Sequence, residues 1–308
     1  MASAKRKQRR HGLRVIILAM SFSLGQQAYG AGWTDVKGFQ IELPAAPQRI
    51  VALAPSVTEI LFSLELGDRI VGVTDFSDFP PETARLPRVG SYKNISVEAV
   101  LNLDPDLVVG VADGNPLHDL DRIRDLHIPV YLVDPKTIPA MLVSIEKIGE
   151  ITDRAERAGL LVAKLRKRLD CIRHLTEGLD RPLVLLQIEQ NPLVTVNGDT
   201  LQSQLIELAG GRNLSAEESV RYPRYSLETV LLRQPEIIII STMQEEARLA
   251  TELDRWKRFP ALPAVRDHRL YVVQSDLIAR AAPRILDGLE AMFKIIHPEI
   301  PIDCGSTP

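Results

Sequence analysis

Cysteine is almost missing from this chain of 308 residues: Cys171 and Cys304 are the only two. That excludes a disulfide-built scaffold and a cysteine-rich metal centre. Whether the two pair with each other stays open, because Cys304 sits in a Pro/Gly/Ser-ended tail. Histidine offers no metal site either. His118, His127, His174, His268 and His297 are scattered, with no HxxxH pair. Glycine-rich phosphate loops are absent, both the GxGxxG and the P-loop forms, and so is a Gly-x-Ser-x-Gly nucleophile elbow. Gly210-Gly211 follows a helical stretch and reads as a helix end. Asp104 and Asp106 flank Pro105 as turn residues, not as an acid/base pair. Enzyme chemistry is thereby disfavoured. Charge of one sign is also lacking: the formal net charge is -3, which gives no reason to expect nucleic acid or an anionic membrane as a partner.

What is present begins with the N-terminus. Lys5, Arg6, Lys7, Arg9 and Arg10 precede an apolar run from Leu13 to Leu24, and small residues follow around Ala28-Tyr29-Gly30. This layout predicts a signal peptide over residues 1–30 and export to the periplasm, the run being short for a membrane span. A basic amphipathic helix is the alternative, since Arg14 and Ser21 interrupt the run. No cysteine follows it, so lipid attachment has no support.

From residue 49 onward, short branched runs alternate with helical patterns. The strand candidates are 49–53, 69–73, 107–110 and 129–133, then 182–188, 236–241 and 270–273. This alternation predicts α/β architecture with parallel sheets, in two blocks. Between the blocks, Ile138, Met141, Ile145, Ile148, Ala155, Ala158, Val162, Leu165, Leu169 and Ile172 recur at helical spacing. One helix over the whole interval would span ~60 Å, so a break at Thr152-Asp153 is expected, followed by a stiff helix of about 25 residues and ~37 Å. The domains expected are an N-terminal lobe over 31–136, a helical connector over 137–180, a C-terminal lobe over 181–300, and a tail over 301–308.

The blocks share a repeated segment. Ser96-Val97-Glu98-Ala99-Val100-Leu101 and Ser226-Leu227-Glu228-Thr229-Val230-Leu231 lie 130 residues apart, counted from 98 to 228. Each is followed by a Pro-acidic pair and a β-run, Asp104-Pro105-Asp106-Leu107 against Gln234-Pro235-Glu236-Ile237. Each copy therefore predicts a helix capped by its serine, stopped before a proline, and feeding a buried strand. Glu98 and Glu228 lie two residues after their serines, so neither completes a capping box. They either complement the helix dipole or dock a partner. Ser56 and Glu59 do have capping-box spacing, which predicts a structural role for Glu59.

Three further segments carry a resemblance. Ala54-Pro55-Ser56-Val57-Thr58-Glu59, the run 71–81, and Ser275-Asp276 with Arg280-Ala281-Ala282-Pro283-Arg284 resemble the periplasmic vitamin B12-binding proteins of ABC importers, over about residues 45–297. The chain is less specifically similar to their siderophore- and haem-binding cousins. The resemblance implies two Rossmann-like lobes joined by a long rigid helix (class III periplasmic binding protein). It implies a corrinoid gripped between the lobes by Phe76, Tyr92 and Tyr222, with Arg280 near it, and no resident cofactor. It also implies docking on the permease dimer of an ABC importer through Glu98 and Glu228, by a monomer. Leu277 and Ile278 depart from the family's aromatic residues beside Arg280, and Ala209 replaces a cysteine of the best-matched member. The ligand expected is thus vitamin B12 or a related corrinoid, with a ferric siderophore or haem as the competing reading. Tyr92, Tyr222 and Tyr225 keep haem open. His118, in the loop region 113–118, is the histidine nearest the expected cleft.

Overall fold

A computed structural model describes residues 32–242 and 246–303, with the side chains of 242–251 left aside. The expected signal peptide and Cys304 lie outside the described residues.

The first lobe is built on β1 (Ile50–Ala52), β2 (Ile70–Val73), β3 (Leu107–Val111) and β4 (Val130–Val133). All are parallel, in the order β2-β1-β3-β4. The second lobe repeats this plan with β5 (Leu183–Gln187), β6 (Arg212–Asn213), β7 (Ile237–Thr242) and β8 (Leu270–Gln274), ordered β6-β5-β7-β8. These pairs are parallel too. In both sheets the first strand has the second on one side and the third on the other. The order reverses there, and ligands of parallel sheets bind beyond the carboxyl ends of the strands at that point.

The helices are α1 (Pro55–Ser63), α2 (Val97–Asn102), α3 (Leu117–Asp125), α4 (Ile138–Ile151), α5 (Ala155–Leu175), α6 (Leu201–Leu208), α7 (Leu227–Arg233), α8 (Glu246–Lys257), α9 (Pro263–Arg266), α10 (Ser275–Ala279) and α11 (Ile285–Ile296). The strands are apolar on both faces, as helix-covered parallel strands must be. Ile50 and Ala52 pack into one core while Val51 and Leu53 pack into another; in β7, Ile237 and Ile239 separate from Ile238 and Ile240 in the same way. One of these cores is continuous between the lobes. It runs from Ile60 and Leu61 of α1, through Ile145, Ile148, Leu165 and Leu169 of α4 and α5, to Leu289 and Phe293 of α11. A shared, close-packed core resists hinge bending in a way that a polar linker does not.

The connector departs in detail from the sequence reading. Its chain does break after Ile151, but the new helix is shorter than expected: 21 residues, or ~31 Å. Neither Thr152 nor Asp153 caps it. The residue before α5 is Arg154, whose side chain makes no cap bond. Asp153 reverses the chain instead by taking left-handed φ +60. This folds α4 back onto α5, so closely that a Cβ on Gly149 would collide with the Ala158 Cβ. From α5, Arg168 reaches α11 through Asp287 (2.6 Å) and Glu290 (2.8 Å). Cys171, also on α5, is disulfide-bonded.

The repeat folds as a repeat. Ser96 Oγ accepts from the Ala99 N–H and Ser226 Oγ from the Thr229 N–H, both at 3.2 Å. After each helix the residue before proline adopts left-handed φ, Asp104 at +44 and Gln234 at +51. The acidic residue after each proline then secures the start of the neighbouring strand. Asp106 accepts from the Gln48 and Arg49 N–H groups (2.7 and 2.9 Å), and Glu236 from the Leu183 N–H (2.9 Å). These turn residues thus satisfy backbone donors that lack a ladder partner.

Candidate functional site

The carboxyl ends of the first-lobe strands open on a cleft of about 490 Å³, within the usual range for small-molecule sites. Its first-lobe wall comprises Pro55 and Ser56 after β1, Val111 at the end of β3 with Asp113 and Gly114 beyond it, and Asp134 to Lys136 after β4. Leu201, Gln202, Arg221, Tyr222 and the turn 279–281 form the second-lobe wall.

Tyr92 lines this cleft from the hairpin that joins strands 90–91 and 94–95. Asn115, which is buried, holds the hairpin in place. Its Nδ2 donates to the carbonyls of Tyr92 (2.9 Å) and Leu53 (2.8 Å), and its Oδ1 accepts from the Val111 N–H (2.7 Å). One side chain therefore ties together the loop after β1, the loop after β3 and the aromatic hairpin. The Tyr92 ring lies directly on Gly114, where a Cβ would strike it, and φ +134 there favours glycine independently. Across the cleft, Tyr222 is half exposed at the end of a strip that pairs with residues 195–197. Two aromatic faces on opposite lobes suit a flat, partly apolar ligand.

Charges rim the cleft. Arg221 of the second lobe reaches Asp113 of the first at 3.3 Å, and Lys136 contacts Asp134 (3.1 Å) and Asp113 (3.6 Å). Burial works to raise the Asp113 pKa, but the Arg221 bond and the Lys136 charge outweigh it and hold the carboxyl below its usual value. The bond to Asp134 chiefly raises Lys136.

Arg280 also lines the cleft, but its guanidinium is already engaged. It pairs with Asp78 (2.6 Å), Asp276 (2.9 Å) and Glu59 (3.4 Å). Glu59 corrects the sequence reading: it belongs to no capping box. Because Pro55 takes the first helical position, Ala54 becomes the cap residue, without a side-chain bond, and Glu59 falls two residues further in. Its carboxylate is buried at 2% exposure and accepts from Nε and Nη2 of Arg284, at 2.8 and 2.7 Å.

Phe76 is exposed and is not among the residues lining the cleft. It rides on the loop after β2, which Thr74, Ser77 and Thr58 hydroxyls anchor to α1 and Arg88 grips through the carbonyls of Thr74 and Ser77. Tyr225 is also off the cleft. It is buried, donates to Glu218 at 2.7 Å, and burial raises its pKa, so it is a structural phenol and not a free axial ligand. His118 points outward from α3 beside Asp119 and does not line the cleft. Leu277 and Ile278, where the resemblance led to aromatic neighbours of Arg280, pack on the core that the lobes share, Ile278 buried in it and Leu277 against it. Sequence reasoning did not single out Asn115 or Arg284 for these roles. Among the described residues, no group of three or more His, Cys, Asp and Glu is arranged to hold a metal ion, and no helix is long and apolar enough to cross a membrane.

Glu98 and Glu228 stand away from the cleft, both exposed in the first turns of α2 and α7. Each is held below the usual carboxylate pKa, first by a bond from its own backbone N–H. Arg122 lies 3.3 Å from Glu98, and Ser226 further lowers Glu228. The pair is therefore ionised and solvent-facing, one on each lobe.

Known proteins resemble this chain across most of its length. The vitamin B12-binding protein of Photorhabdus laumondii is 32% identical over 262 residues, covering 85% of this chain and 92% of that protein. The crystal structure of the periplasmic vitamin B12 binding protein BtuF of Vibrio cholerae superposes with a TM-score of 0.73 at 30% identity, covering 82% of this chain and 98% of that one. The periplasmic haem-binding protein RhuT of Roseiflexus also gives a TM-score of 0.73, at 25% identity over 82% of this chain and 98% of its own. The family model for periplasmic binding proteins matches residues 50–277. Carrying that family's sequence pattern on two lobes whose sheets share one strand order, the chain belongs to the periplasmic binding protein family.

Proposed function

We propose that this protein captures a corrinoid, vitamin B12 or a close relative, between its lobes and delivers it to the permease of an ABC importer. The observation that carries this reading is the cleft itself: Tyr92 and Tyr222 face it from opposite lobes, in a chain about one-third identical to vitamin B12-binding proteins. Aromatic walls bind the macrocycle, while Arg280 and the polar rim address its amide fringe. Phe76 joins this grip from the loop after β2 as the lobes close on ligand. Lobes 31–136 and 181–300 form the jaws, and the α4–α5 pair in the 137–180 connector keeps closure small.

No bond is made or broken, so the protein is a binding protein and not an enzyme, with no resident cofactor. The cleavable N-terminal signal peptide directs its export to the periplasm. There it acts as a monomer, and the loaded protein docks with Glu98 and Glu228 against cationic side chains of the permease dimer. Exposed carboxylates of this kind fix orientation and speed encounter more than they add affinity.

Titration of the mature protein with cyanocobalamin, cobinamide, haem and a ferric siderophore tests the reading. Saturable binding of either corrinoid supports it, and binding of neither refutes it. Haem is the second reading, favoured by the Tyr92 and Tyr222 phenols in the cleft and by the haem-binding relative. A tyrosinate-to-iron band in the haem-loaded protein would mark that outcome.

A further inference from the structure

Glu59 and Asp35 are the buried carboxylates among the described residues, and Glu59 lies between the lobes. It sits on α1 of the first lobe, yet its partners Arg280 and Arg284 come from the segment between α10 and α11 of the second. Arg284 meets both oxygens in a fork, the geometry in which a guanidinium holds a carboxylate most directionally. On the same side, the Arg284 guanidinium also lies 3.6 Å from the Phe79 ring centroid, which fixes its plane. Arg280 then bridges Glu59, Asp78 and the cleft wall, its side chain 10% exposed.

A buried fork that merely stabilised the protein would be a poor device, because burying ions costs nearly as much as pairing them returns. What such a pair does provide is geometry, since the two lobes can satisfy it at one relative position. Two more ion pairs join the lobes, Asp113 with Arg221 and Asp78 with Arg280, but both carboxylates are half exposed or more and are screened by salt.

We propose that Glu59 is a positioning residue: its carboxylate ties Arg284 and Arg280 of the second lobe to the first, setting the angle between the lobes and holding Arg280 at the cleft wall. Glu59 does not line the cleft. It acts on the ligand through Arg280. The effect on ligand release rests on the capture function proposed above; the effect on the lobe angle does not.

The test uses spin labels on Leu126→Cys in the first lobe and Leu232→Cys in the second, both exposed in the full chain. Distance distributions are then compared among the otherwise unaltered protein, Glu59→Gln, and the neutral pair Glu59→Gln with Arg284→Met. The pair removes both charges together, so its melting temperature is expected to recover much of what Glu59→Gln alone loses. Its interlobe distance should nevertheless stay broad or displaced, and release of cyanocobalamin should quicken about tenfold or more. A neutral pair with the unaltered distance distribution would overturn the proposal, since the fork would then serve stability alone. If Glu59→Gln does not fold, the neutral pair still decides the matter. Failure of cyanocobalamin to bind the unaltered protein would refute the corrinoid reading and leave the distance comparison decisive for Glu59.

Discussion

Replacing Asn115 by alanine removes the clamp that joins three cleft loops. The Val111 N–H loses a 2.7 Å acceptor inside a buried segment, and the carbonyls of Leu53 and Tyr92 lose a shared donor. A buried group left unsatisfied costs about 1–3 kcal/mol. The Tyr92 carbonyl is only partly buried and can take a water instead, so the sum comes to about 2–4 kcal/mol. Urea unfolding should show the loss as a lower midpoint at unchanged slope. Freed from Asn115, the hairpin moves Tyr92, and corrinoid affinity should fall as well. Gly110→Ala supplies an independent check, because its Cβ would lie 2.7 Å from Asn115 Oδ1 and push the amide out of place. That substitution should cost less in the Asn115→Ala background than in the unaltered protein, since the two act on one clamp. A loss below about 0.5 kcal/mol for Asn115→Ala, with affinity intact, would mean that Asn115 does not clamp the cleft loops.

The duplicated caps make a matched pair. Ser96→Ala and Ser226→Ala should each destabilise by about 1 kcal/mol and add together in the double variant, as read by urea midpoints. Charge reversal at Glu98 and Glu228 should abolish uptake through the permease while leaving ligand affinity unchanged; lost affinity would instead assign these residues to the fold or the pocket. Asp78 predicts an acid limb. Burial opposes its ionisation, but the bond and charge of Arg280 prevail and hold its folded pKa below 3.8. Its contribution to stability is therefore present above that value and is lost as pH falls through the lower folded value. Asp78→Asn should remove part of the acid unfolding below about pH 4 and flatten that limb in a melting-temperature profile.

Local chemistry was legible in the sequence, and long-range pairing was not. Branched runs announced the eight strands of the two parallel sheets except β6, whose two residues are too short to carry a pattern. The Ser-x-Glu repeat announced both capped helices because a cap needs only three neighbouring residues. Its strand-tying Asp106 and Glu236 looked like turn residues, since their partners lie 57 and 53 residues away. Glu59 misled for the same reason. Its spacing from Ser56 matched a capping box, but Pro55 shifted the helix start, and its true partner lies 225 residues along the chain. Thr152-Asp153 marked the connector's break correctly in position, though the chain turns by a left-handed residue and not by a cap. Tyr225 and Tyr222, three residues apart, could not be told apart by pattern; burial against Glu218 separates them.

Whether a corrinoid lies between the lobes is decided by a crystal structure of the mature protein grown with cyanocobalamin. The corrin ring is expected in the cleft, flanked by Tyr92 and Tyr222 with Arg280 at its edge. A corrin ring bound elsewhere on the surface, with the cleft holding none, would contradict it.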